Sequence, residues 1–123
     1  MHALLVDDSR TVRMVLGRML RDAGFEVAEA ANGRDALDVI DAGLAPELVL
    51  VDWNMPVMNG LDFVAAVRGA PYSSTARIMM VTTETEAPQV SRALEAGADE
   101  YAMKPFTADT IREKLQLLGF DVA

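Results

Sequence analysis

Residues 48–60 read LVLVDWNMPVMNG, in which Leu48, Val49, Leu50 and Val51 form an unbroken apolar run that stops on Asp52. A run this short, rich in Val and Leu, fits a strand buried on both faces, as strands of a parallel sheet are. Such a strand does not need a carboxylate at its end. That it delivers one to the point where the chain turns suggests that Asp52 serves a site there.

The pattern repeats on either side. Apolar strand candidates lie at Ala3–Val6, Phe25–Ala30, Leu48–Val51, Ile78–Val81 and Tyr101–Met103, and amphipathic segments separate them. From Ser9 to Gly24, Val12, Val15, Leu16, Met19 and Leu20 recur at three- and four-residue steps, with Gly24 as the C-cap. Asn32 is a plausible N-cap for a helix presenting Ala36, Leu37 and Ile40 and stopping at Gly43. A third helix presents Leu61, Val64 and Val67. Residues 86–97 offer Val90 and Leu94 on one face, and Thr107 can cap a last helix carrying Ile111, Leu115 and Leu118.

Strands that alternate with helices pair in parallel, and right-handed crossovers put the helices on both faces of the sheet. A closed barrel would need about eight such units and roughly 250 residues; the chain has five units and 123 residues. The expected fold is therefore an open α/β sheet, a doubly wound three-layer sandwich. Without a linker, repeat or low-complexity segment, residues 1–123 read as a single domain with no room for a second one.

Composition narrows the function. A net charge of −8 without a basic run argues against a nucleic-acid or anionic-membrane surface. Cysteine is absent, so there is no disulfide framework. No apolar run approaches the ~20 residues of a membrane span, and the opening MHALLVDDS lacks the basic start and long apolar stretch of a signal peptide. A cytoplasmic protein is expected.

In open α/β sheets, ligands bind outside the carboxyl ends of the strands. Here those ends carry Asp7 and Asp8, Asp52, Thr82 and Thr83, and Lys104-Pro105. An Asp after a strand is often only the N-cap of the next helix, which for Asp7 or Asp8 taken singly is an equal alternative. Four functional strand ends together are not ordinary turn chemistry. Like charges ~4 Å apart repel by about 4 kcal/mol at an effective dielectric near 20, so the acids need a cation. Oxygen ligands without His or Cys suit a hard ion such as Mg²⁺. With Lys104 and a hydroxyl, such a set equips one carboxylate to attack phosphorus.

LLVDDS, LVLVDWNMPVMNG, IMMVTTE and YAMKPF together resemble the receiver domain of two-component response regulators, over essentially the whole chain. The resemblance implies a flavodoxin-like (βα)5 fold with strand order 2-1-3-4-5. It implies Asp52 as phosphoacceptor from a histidine kinase, and Mg²⁺ held by Asp7, Asp8, Asp52 and the backbone carbonyl of Asn54. Thr82 would be the switch hydroxyl, Lys104 the partner of the phosphoryl group, and Tyr101 an aromatic that turns inward. Met55-Pro56 and Gly60 would shape the loop, with Pro105 in a cis peptide. A target would dock on the face of the fourth helix, fifth strand and fifth helix. DWNMP and the Asn54/Glu84 pair resemble the chemotaxis (CheY-like) members most closely, while Thr83 departs from the Ala common there and narrows access to the site. The chain would act as a standalone regulator of chemotaxis or motility, and not as a turnover enzyme.

Three other readings differ in the residues they need. A phosphorelay intermediate would pass the phosphate on to a histidine phosphotransfer domain. A Mg²⁺-dependent phosphohydrolase wants an acid two residues after the nucleophile, where Asn54 stands, and a cap. A phosphorylation-independent interaction module would normally have lost an acid or the Lys. His2, at the chain start, reads as a strand-edge residue rather than a phosphate donor. Arg10 and Arg13 read as solvated surface, Trp53 as half exposed, and Met55 and Met58 as site-loop methionines.

Overall fold

Strand residues of alternating side feed two separate apolar layers. Leu4, Val6, Val49, Val51, Ile78 and Met80 face one way and Ala3, Leu5, Leu48, Leu50 and Met79 the other, so a two-residue period builds two cores from one sheet. The computed structural model describes residues 1–53, 55, 57–72, 74–83 and 90–122. The elements run β1 (His2–Val6), α1 (Arg10–Asp22), β2 (Glu26–Ala30), α2 (Gly33–Asp41), β3 (Leu48–Asp52), α3 (Gly60–Arg68), β4 (Arg77–Thr82), α4 (Val90–Ala96), β5 (Glu100–Met103) and α5 (Ala108–Leu117). The sheet is parallel, in order β2-β1-β3-β4-β5. Helices α1 and α5 cover one face through Leu16, Leu20, Ile111 and Leu115. Helices α2, α3 and α4 cover the other through Ala36, Leu37, Phe63, Val64, Val67 and Ala93. The doubly wound three-layer sandwich expected from the sequence is the fold.

The helix starts follow local chemistry. Ser9, Asn32, Asn59 and Thr107 occupy N-caps, each accepting a backbone N–H three residues on. The cap of α1 is thus Ser9, and neither Asp7 nor Asp8 is spent on that role. The C-cap of α1 is Ala23, one residue earlier than expected; Gly24 follows it at φ 102°, where a left-handed backbone suits a residue without Cβ.

Several expectations change. Val15 is exposed, because the stripe of α1 that meets the sheet runs through Leu16 and Leu20. Leu94 is also exposed, and Ala93 is what α4 buries. Phe25 precedes β2 instead of opening it, and its ring meets Phe120 edge-on at 5.2 Å. Trp53 is 8% exposed, not half exposed: its indole joins the apolar layer beneath α2, α3 and α4. Arg68, at the end of α3, donates to Gly97 O (2.9 Å), Ser74 O (2.8 Å) and Asp99 Oδ2 (2.8 Å), and Asp99 Oδ2 also accepts Ile78 N–H at 2.8 Å. One guanidinium thereby ties the ends of α3 and α4 to the start of β4.

Candidate functional site

The strand order reverses between β1 and β3, and their following helices leave to opposite faces, which opens a crevice at the strands' carboxyl ends. Asp7 follows β1 directly, and Asp52 is the last residue of β3 itself, paired in register with Val81. Asp7 and Asp52 are buried at 1% and 5% exposure, while Asp8 is exposed and opens the cluster to solvent. One carboxylate oxygen from each of the three lies within 4.8 Å of the others. The ends of β1 and β3 thus bring together the three acids that the sequence placed there.

Lys104 supplies the counter-charge. Its Nζ lies 3.3 Å from Asp52 Oδ1 and 3.8 Å from Asp7 Oδ2. Its backbone N–H donates to Thr82 O at 2.7 Å, which locks the ends of β4 and β5 together at the site. The Lys104–Pro105 peptide is cis, as expected. Thr82 is fully buried, and among the described residues its Oγ1 has no hydrogen-bond partner, an arrangement that costs stability unless another group uses the hydroxyl. Thr83, next in the chain, is half-buried, as is Tyr101 on β5. Asn54 and Glu84, expected as a backbone ligand and a modulator, lie outside the described residues, as does Pro56; Met55 is buried and Met58 half-buried.

Asp7 is held by two neighbours from the start of α1. Its Oδ1 accepts Ser9 N–H at 2.8 Å, and its carbonyl accepts Arg13 Nη1 at 2.6 Å. Arg13, also bonded to Glu29 at 3.2 Å, is a brace for the site and not solvated surface. A signal existed in the sequence: Arg13 lies one turn into a helix whose N-terminal end abuts the acids. Burial pushes the Asp7 carboxyl above its usual range and the Asp8 charge adds to this, while the Ser9 bond, Lys104 and Arg13 pull the other way.

Asp7 Oδ2 is buried without a hydrogen-bond donor among the described residues. With Lys104 as counterion, three ionised carboxylates keep an excess of two negative charges. A divalent cation satisfies both conditions, and an all-oxygen set fits Mg²⁺. The residues present fit the ion.

The carboxyl edge of this open α/β sheet thus carries an acidic triad beside a lysine, with a buried threonine at the end of β4. Residues 3–116 match the response regulator receiver domain family, and the chain belongs to it. It is a CheY-like receiver, similar to chemotaxis protein CheY1 of Helicobacter pylori, with 41% identity over 96% of both chains. Chemotaxis protein CheY of Pseudomonas aeruginosa is 41% identical over 94% of each. The structure of chemotaxis response regulator CheY4 of Vibrio cholerae superposes with a TM-score of 0.85 at 38% identity, covering 95% of this chain and 97% of that one. No described helix is long and apolar enough to cross a membrane.

Proposed function

We propose that the protein is a standalone, single-domain regulator that takes a phosphoryl group onto Asp52 from a histidine kinase and thereby changes its affinity for a chemotaxis target. A carboxylate oxygen of Asp52 attacks phosphorus as the N–P bond of the donor phosphohistidine breaks and the imidazole leaves. Mg²⁺, held by Asp7, Asp8, Asp52 and the Asn54 carbonyl, would neutralise charge on the transferred oxygens. Lys104 pairs with the incoming group from 3.3 Å away. Asp52 itself is held by a strand buried along its whole length, so its carboxylate loses little freedom when it reacts. Water later removes the phosphoryl group at the same site, with Thr83 and Glu84 tuning access. The chain is thus its own substrate and turns over no external one.

The switch reading assigns the remaining residues. Thr82 Oγ1, buried and without a partner among the described residues, is the hydroxyl that takes up a phosphoryl oxygen. Its movement frees space for Tyr101 to turn inward, which remodels the surface of α4, β5 and α5 where the target docks. The chemotaxis role rests on the named relatives, whose lengths match this chain's almost fully; the cytoplasmic location is carried over from the sequence expectation.

The observation that carries the reading is the carboxylate trio of Asp7, Asp8 and Asp52, one oxygen of each within 4.8 Å of the others, with Asp7 Oδ2 buried and lacking a hydrogen-bond donor among the described residues. Incubation with a small acyl phosphate and Mg²⁺ should label the protein, and D52A should not be labelled. Equal labelling of D52A would overturn the acceptor assignment.

A further inference from the structure

Tyr101 is gripped from outside the site. Lys114 Nζ stands 4.7 Å from the centroid of its ring. The same ammonium reaches Glu100 Oε1 at 3.3 Å, and that oxygen also accepts the backbone N–H of Tyr101 at 2.9 Å. One ion pair therefore holds both the ring and the backbone of a single residue. The pair is partly withdrawn from water, with Lys114 at 24% and Glu100 at 19% side-chain exposure, a setting in which an ammonium over a ring face counts for more than it does in open solvent. Its base is rigid: Lys114 rides on α5 beside Leu115 and one turn after Ile111, both fully buried in the core. Nothing in the phosphate chemistry requires these contacts, since Lys114 touches neither the acids nor Lys104 among the described contacts.

From this geometry we infer that Lys114 is a positioning residue that restrains Tyr101 in its resting place and so sets how far the unphosphorylated protein lies from its active state. The inference rests on the switch reading of Tyr101 given above. A ring that turned inward would leave the ammonium, while the Lys114–Glu100 bridge could persist. The restraint is thus lost in the active state alone, which is the condition for a contact to bias a two-state equilibrium. Removing it raises the population of the binding-competent state, and the apparent affinity for anything selecting that state rises by the same factor.

The test measures beryllofluoride binding in Mg²⁺ through Trp53 fluorescence, with the Tyr101 ring resonances followed by NMR, in wild type, K114M and K114R. K114M should bind the phosphate mimic about three- to fivefold more tightly. K114R, which keeps a cation over the ring, should return to the wild-type value. A merely structural role would lower the melting temperature of K114M and leave its affinity for the mimic unchanged. That result, or a K114R that behaves as K114M does, overturns the restraint. Wild-type Tyr101 resonances that ignore the mimic would remove the switch and the restraint together, and this is read on the unmodified protein alone.

Discussion

Asp7 shows how a single residue trades stability for a site. Its carboxyl is buried, and its folded-state pKa is raised above the ordinary 3.8, first by desolvation. The folded protein therefore binds the proton more tightly than the unfolded chain does. The stability Asp7 contributes is fully present below the unfolded value and is lost as pH rises through the folded one. D7N should flatten that dependence in chemical denaturation and, at neutral pH without Mg²⁺, stabilise the protein by about 1–2 kcal/mol by relieving like-charge repulsion. Val57 is a second costly residue. It sits at φ 72° and is 84% exposed, so a β-branched side chain occupies the left-handed region and buries almost nothing in return. V57G should raise stability by about 1 kcal/mol, the relief of strain exceeding the added backbone entropy, as read from a denaturation midpoint.

Among elements, β3 and α3 meet closely at Gly60. Gly60 N–H donates to Trp53 O at 2.9 Å, and a Cβ at Gly60 would meet Asp52 O at 2.5 Å and Trp53 Cα at 3.0 Å. The helix start is pressed against the backbone that carries the acceptor, and only glycine fits between them. G60A should cost roughly 1–3 kcal/mol in thermal or chemical denaturation, since backbone and not a pliant side chain must yield. It should also slow labelling of Asp52 by a small phosphodonor, because the displaced atom belongs to Asp52 itself. The helix faces carry a different lesson. Period and spacing identified all five helices, yet Val15 and Leu94 proved exposed, because how wide a stripe is buried depends on how closely each helix lies to the sheet.

At the scale of the molecule, the sheet gathers charge that the apo protein balances only in part, so the ion and the fold are linked. Mg²⁺ at about a hundred times its dissociation constant should stabilise the protein by ~2.7 kcal/mol, and chelation should reverse this. The gain should be lost in D7N and should shrink on acidification as Asp7 takes up its proton. A melting curve indifferent to Mg²⁺ would mean that the cluster holds no such ion.

The strand and helix order, the parallel pairing and the convergence of Asp7, Asp8, Asp52 and Lys104 were legible in the sequence, since periodicity and chain connectivity leave one short list of topologies. Residues separated by long stretches of chain met where the strand ends predicted. What packing decided was finer: the burial of Trp53, the Arg13 brace on Asp7, the Arg68 clamp and the Lys114 grip on Tyr101. Each of these depends on side-chain direction and on neighbours brought from other elements. A one-dimensional pattern records which face a residue takes, but not what stands opposite it.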